Sequence, residues 1–161
     1  VKVALVVASN RADSLRRFFV EWDLPLSVTV CVVEDGPAKS FEFSTKARVR
    51  HDAWDTIDAD DSINSHLFSK RSSAIKQYGM WAAVVHEQCD LVICLDDDCY
   101  PLDGSSFADL VQQYTDSALL GTHWESTDPR YPMRGLPKGA FGRGGSVAAA
   151  MGMWHGWPDF D

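Results

Sequence analysis

Five consecutive apolar residues, Leu91-Val92-Ile93-Cys94-Leu95, run directly into three aspartates, Asp96-Asp97-Asp98. An apolar run of this length, bounded by charge, reads as a buried strand. The triad then stands where a central strand leaves the sheet, which in open α/β sheets is the ligand crevice. Three adjacent carboxylates repel one another, and desolvation worsens the repulsion. Such a cluster either stays hydrated, as an inert strand-to-loop corner, or is matched by positive charge. Hard oxygen ligands suit Mg²⁺ or Mn²⁺, ions that also bridge to substrate phosphates. Alternation along an extending strand puts Asp96 and Asp98 on one side and Asp97 on the other. Asp96 and Asp98 are therefore the candidate metal ligands.

The rest of the chain alternates strand and helix signals. Residues 1–8 are apolar and β-branched, a second buried strand. Asn10 or Asp13 is placed to cap a helix running to Trp22, with Leu15, Phe18, Phe19 and Trp22 at helical spacing; Pro25 ends that unit. Residues 28–33 form another strand, stopped by Glu34-Asp35-Gly36-Pro37. The polar stretch 38–68 offers one short strand at 47–51. Ser69 or Ser72 caps a long helix to about Gln88 that buries Ala74, Ile75, Tyr78, Met80, Trp81 and Val85. Asp103-Gly104-Ser105-Ser106 opens a helix to about Tyr114, and residues 118–122 read as a strand. Residues 123–145, rich in Gly, Pro and Arg, read as a loop. This order predicts an α/β fold with a Rossmann-like, mostly parallel sheet and flanking helices.

Composition narrows the function. A chain of 161 residues with 45% hydrophobic residues is expected to form one domain, 1–161, with a proper core. A net charge of -8 argues against nucleic acid as a partner. No apolar run is long enough for a transmembrane span, and there is no signal-peptide pattern. The chain begins at Val1, as expected of a removed initiator or an excised piece. Cys31, Cys89, Cys94 and Cys99 suggest neither a disulfide framework nor a zinc site, and are expected to be reduced in a cytoplasmic protein.

Further candidates gather at the same sheet edge. Ala8-Ser9-Asn10-Arg11 ends the first strand and Glu34-Asp35-Gly36 the second. A carboxylate in the position of Asp35 commonly hydrogen-bonds a ribose or base, although a simple turn aspartate fits equally. Glycine-rich dinucleotide and P-loop motifs are absent. Arg71 and Lys76, expected on the long helix, either neutralise a diphosphate or are surface charges. Asp128-Pro129-Arg130-Tyr131-Pro132-Met133-Arg134-Gly135-Leu136-Pro137, followed by Lys138 and Arg143, forms a basic segment in an acidic chain. Arginine is a natural partner of phosphate oxygens, and a solvated loop is the plain alternative. Asp96-x-Asp98 after a strand also fits a haloacid-dehalogenase-type phosphatase, but Tyr100 stands where that pattern wants Thr or Val.

Taken together, Arg71-Ser72-Ser73-Ala74 to Gly79, Leu95-Asp96-Asp97-Asp98-Cys99, Asp128-Pro129, Arg134-Gly135-x-Pro137 and Gly152-x-Trp154-x-x-x-Pro158-Asp159-Phe160-Asp161 resemble the reversibly glycosylated polypeptides. That family includes the plant UDP-arabinopyranose mutases. The resemblance implies a GT-A type nucleotide-sugar fold, here cut short, since the family continues beyond the element that closes this chain. It implies that Asp96 and Asp98 hold Mn²⁺ or Mg²⁺ at a UDP diphosphate. Asn10, Arg11, Asp35, Arg71, Lys76 and Asp97 become nucleotide-binding positions, with Arg11 and Asp35 near the uridine. Arg134 matches the arginine that becomes reversibly glycosylated, Arg143 a second family arginine, and Asp128 is a candidate to orient the acceptor. The implied partner is a UDP-sugar, UDP-arabinose or a UDP-hexose, with a homo- or hetero-oligomer left open. The chain departs from the plant pattern at Ala8-Ser9-Asn10-Arg11 and has a shorter segment between Asp128 and Arg134. An ordinary GT-A glycosyltransferase with a separate acceptor, or a catalytically silent nucleotide-binding module, are the alternatives.

Overall fold

In the computed structural model, residues 1–101 and 104–120 are described. The chain divides into two compact units, Val1–Phe107 and Ala108–Asp161. The elements run β1 (Val3–Ser9), α1 (Ala12–Glu21), β2 (Val28–Glu34), β3 (Arg48–Asp52), α2 (Trp54–Asp58), α3 (Lys76–Val85), β4 (Leu91–Asp96) and α4 (Phe107–Leu120). The four strands form one sheet in the order β3-β2-β1-β4. Every pairing in it is parallel, with Val6 opposite Cys31 on one side and Cys94 on the other. The expected α/β architecture with a parallel sheet is therefore present. No described helix is long and apolar enough to cross a membrane.

The apolar runs have a clear physical origin. Parallel strands joined by helical crossovers are covered on both faces, so they need no polar side. Every residue of β2 is buried, and Ala4, Leu5, Val6 and Val7 of β1 are 0% exposed. On one face Ala4, Val6 and Cys31 pack with Ala83 and Cys89, and Val33 packs with Ile57, Ile75, Tyr78 and Ala82. That is the α3 face. Leu5 and Val7 point to the opposite face by alternation, and α1, with Leu15, Phe18 and Phe19 buried, packs on β1.

Helix α3 differs from its sequence reading in one instructive respect. Met80 and Val85 are exposed, while Gly79, Ala82 and Ala83 are buried. The reason is close approach: a Cβ on Gly79 would lie 2.7 Å from Val6 Cγ1 and 2.9 Å from Val33 Cγ2. A small-residue face seats the helix directly on the sheet beside the buried Tyr78 and turns Met80 and Val85 outward. Ser72 does act as a cap, its Oγ accepting from the Ala74 N–H at 3.2 Å, but it caps a 3₁₀ turn, Ser73–Ile75, that leads into α3. The helix stops at Val85, before a left-handed Gln88 (φ 53°), rather than continuing to Gln88.

Other boundaries moved as well. Helix α1 ends one residue before Trp22, and neither Asn10 nor Asp13 caps it: the cap position is Arg11, with no side-chain bond, and Asp13 lies in the first turn. The short strand expected at 47–51 is β3, Arg48–Asp52. Residues 118–120 are the end of α4, not the start of a strand. Ala and Leu are strong helix formers, and an apolar triplet carries no periodicity that separates strand from helix.

Candidate active site

The C-terminal ends of β1 and β4 meet at the point where strand order reverses, since β2 and β3 continue from β1 on its other side. A reversal of this kind leaves a crevice between the two crossovers. A cleft of about 460 Å³ lies here, lined by Ala8, Ser9, Asn10, Arg11, Asp35, Arg71, Ser72, Ser73, Ile75, Asp96, Asp97 and Asp98. Of the sequence-predicted residues among those described, only Lys76 is missing from this lining, and it is bonded to Asp96.

The triad does not alternate as an extended strand would. β4 ends at Asp96, and a turn closed by the Cys99 N–H on the Asp96 carbonyl (3.0 Å) carries Asp97 and Asp98. Trp22 holds the far side of this turn, its Nε1 donating to the Cys99 carbonyl at 2.8 Å. As a result Asp97 does not point away from its neighbours. Arg11 donates through Nη2 to both Asp97 Oδ1 and Asp98 Oδ2 (3.0 Å to the latter), and through Nε to Asp97 Oδ2 at 3.2 Å. Ser9 Oγ also donates to Asp97 Oδ2, and the Ser9 hydroxyl accepts from the Arg11 N–H at 2.9 Å. The three carboxylates thus divide by environment. The Asp97 side chain is 6% exposed and fully committed, whereas those of Asp96 and Asp98 are 49% and 59% exposed. Lys76 Nζ donates to Asp96 Oδ1. Hydrogen bonds from Arg11 to Asp97, then to Asp98, push the guanidinium above its ordinary pKa. Burial would lower the Lys76 ammonium, but its bond to Asp96 outweighs this and raises it.

Asp35 lies beside Ser9, its N–H donating to the Ser9 carbonyl at 2.8 Å. Its Oδ1 accepts from Trp54 Nε1 and from the Arg71 N–H, both at 2.8 Å. These bonds fix the carboxylate and leave Oδ2 outside them. Arg71 precedes the helix rather than lying on it. It has a left-handed φ of 58°, a conformation that costs a non-glycine residue energy and that tends to persist at functional sites. Its guanidinium stands over the Trp54 ring, 5.5 Å from the centroid. Trp54 is the residue that reading the sequence missed, and Ser9, placed at the edge within Ala8-Ser9-Asn10-Arg11, had been given no role. Ser9 carried a weak signal, as the last residue of a strand whose neighbour position leads to Asp96. Trp54 carried none, because its role depends on β3 returning beside β2.

The donor set can be tested against a divalent cation. Among the described residues, no group of three or more His, Cys, Asp or Glu could hold a metal ion on its own. Asp96 and Asp98 each keep one oxygen outside the bonds to Lys76 and Arg11. Mg²⁺-type sites typically use one or two carboxylates, with water and substrate phosphates completing the shell. Asp128, Arg134 and Arg143, together with the basic segment around them, lie outside the described residues. No family model matches this chain, and a comparison with curated proteins finds no match.

Proposed function

We propose that this protein is a metal-dependent UDP-sugar enzyme of the GT-A type, of the UDP-arabinopyranose mutase or self-glycosylating kind. The observation that carries the reading is the cleft itself. It stands at a strand-order reversal and combines two half-exposed carboxylates with Arg11, Arg71 and a fixed Asp35. Substrates with adjacent phosphate and hydrogen-bonding groups, such as nucleoside diphosphates, match that mixture. The motif resemblance supports uridine as the base and a UDP-sugar, UDP-arabinose or a UDP-hexose, as the substrate.

In this reading Asp35 offers Oδ2 to the uridine, with Arg11 nearby. Arg71 and Lys76 neutralise the diphosphate, and Asp96 and Asp98 hold Mn²⁺ or Mg²⁺. The bound ion supplies Lewis-acid stabilisation of charge on the departing diphosphate. The cationic side chains contribute preorganised electrostatic stabilisation to the same charge. Arg134 carries or positions the sugar, with Arg143 beside it in function and Asp128 orienting the acceptor guanidinium, which is otherwise a poor nucleophile. Four free cysteines, three of them buried, suit a reducing, cytoplasmic setting.

Titration of the protein with UDP and with ADP, each with and without Mn²⁺, tests the proposal. Mn²⁺-dependent binding that favours UDP supports it, because a site built for base-edge hydrogen bonds rejects the wrong base. Equal binding of UDP and ADP, or no effect of Mn²⁺, overturns it. Sugar transfer to an added acceptor without mutase activity would select the ordinary glycosyltransferase instead.

A further inference from the structure

We infer that Trp54 is a positioning residue of the cleft, holding the Asp35 carboxylate so that one acceptor oxygen meets the base and uracil is chosen over cytosine. This rests on the UDP-sugar reading and names what sets the base preference of that site. Trp54 opens α2, and its backbone N–H donates to the Gly36 carbonyl at 3.0 Å, which ties it to the chain just after Asp35. Its side chain packs on the buried cluster that contains Val33, Ile57 and Tyr78. The Arg71 guanidinium and the Lys70 ammonium stand over its ring, 5.5 and 5.8 Å from the centroid. Backbone bond, apolar contact and cations together restrict the indole, and its Nε1 donates to Asp35 Oδ1 at 2.8 Å. Asp35 and Arg71 line the cleft, whereas Trp54 stands behind them and acts through Asp35.

The bonds to Asp35 are one-sided. Oδ1 accepts from Trp54 Nε1 and from the Arg71 N–H, both at 2.8 Å. The second donor belongs to a residue with a left-handed φ of 58°, a conformation that persists only where its surroundings over-determine it. Indole and backbone N–H groups are donors only, and two donors fill the two lone pairs of one carboxylate oxygen. Among the described residues, nothing bonds Oδ2. A ribose diol would span both oxygens of a carboxylate, and one of them is full. A lone acceptor oxygen instead matches a single N–H. Uracil presents one on its ring edge, whereas cytosine presents an unprotonated nitrogen there, which an acceptor repels. A site whose polar group is left unpaired by the wrong ligand rejects that ligand strongly.

Calorimetric titrations of the full chain with UDP and with CDP, in the buffer in which the parent binds UDP, test this. The parent should favour UDP. Trp54→Phe keeps a ring beneath Arg71 but has no N–H, and the ratio of UDP to CDP affinity should fall about tenfold, the effect of losing a hydrogen bond to a charged group. A merely structural role would weaken both ligands alike and leave that ratio unchanged. Asp35→Asn is the second variant. Two donors on Oδ1 oblige the amide to place its oxygen there and its NH2 toward the ligand, so the preference should turn toward CDP. Combining it with Trp54→Phe should shrink that turn, because one donor alone then orients the amide. An unchanged ratio in Trp54→Phe, an Asp35→Asn protein that favours UDP as strongly as the parent, or a parent that binds CDP as tightly as UDP overturns the positioning role, while a preference for UDP over ADP keeps the UDP-sugar reading. If the parent binds no UDP under any condition, both fall.

Discussion

Asp97 and Asp98 are adjacent in sequence and carry the same chemical group, yet the fold gives them opposite work. Asp97 is buried and bonded to Ser9 and Arg11; Asp98 is open to solvent with a single cation beside it. Replacing Asp97 by Ala should therefore cost about 1–3 kcal/mol of stability, the penalty for unmaking charged hydrogen bonds when the partner Arg11 can still reach water. Replacing Asp98 by Ala should change stability by about 0.5 kcal/mol or less, as at most exposed sites, while removing Mn²⁺-dependent UDP binding. Urea denaturation and a UDP titration on the two variants would separate these roles, and a stability loss at Asp98 equal to that at Asp97 would contradict the division. A second residue-scale outcome concerns Glu34, buried at the end of β2. Burial alone would raise its carboxyl pKa, but bonds from the Ser40 hydroxyl and from the Ser40 and Phe41 N–H groups hold it below the ordinary value. Burial lowers the pKa of neighbouring His51 more than Glu34 raises it, so the neutral ring donates from Nε2 to Glu34 at 3.1 Å. Both groups bind fewer protons folded than unfolded, so stability rises with pH. The His51 contribution is complete above an unfolded pKa of about 6.5 and declines below it; that of Glu34 is present above about 4.3 and is lost as pH falls through its lower folded value. Glu34→Gln should flatten the acid side of a plot of urea midpoint against pH, and an unchanged slope there would refute the assignment.

At the scale of elements, α3 is the piece most sensitive to a single methyl group. Gly79→Ala would gain about 1 kcal/mol of helix propensity in an exposed helix. Here the new Cβ meets Val6 and Val33 at distances that real Cβ atoms do not adopt. Both neighbours sit on central strands with nowhere to move. Overpacking of this kind costs about 1–3 kcal/mol, so the net effect should be destabilising, read as a lower urea midpoint at unchanged slope. A stabilised Gly79→Ala protein would mean that α3 stands further from the sheet. The same seating matters to the cleft, since the turn before α3 carries Arg71, Ser72 and Ser73 to its wall. Strand β3 has a comparable indirect role. It returns the chain beside β2, so that Trp54 at the start of α2 reaches Asp35.

For the whole molecule, every described residue lining the cleft lies between Ala8 and Asp98, within the first compact unit. Nucleotide binding and sugar handling should then be separable. A chain ending at Leu120 should keep Mn²⁺-dependent UDP binding while losing retention of label from a radiolabelled UDP-sugar, because Arg134 and Arg143 are gone. In the full chain, Arg134→Ala should abolish label retention with UDP affinity unchanged. Loss of UDP binding from the shortened chain would show that later residues help to form the nucleotide site. Label retained on Arg134→Ala at the parental level would remove that arginine as acceptor.

Much of this was written in the sequence, for a simple reason. Strands covered on both faces must be apolar throughout, so the runs 1–8, 28–33 and 91–95 announced β1, β2 and β4, and with them the parallel sheet and the edge where Asp35 and the aspartates gather, although β4, expected as a buried central strand, stands last in the described sheet with only Ile93 buried. Arg11 was legible as a cation at that edge, whereas Arg71 and Lys76 read from the residues alone as either phosphate partners or surface charges. Which carboxylate meets which cation was not. It depends on where β4 stops and the turn begins, on the Ser9 bridge, and on how closely Gly79 lets α3 approach the sheet. These are contacts between residues up to 88 positions apart, and periodicity and composition carry no information about such pairs. Local pattern therefore determined the elements and the edge of the sheet where the candidate site lies, while only tertiary packing decided that Asp97 is an anchor and that Asp96 and Asp98 remain open.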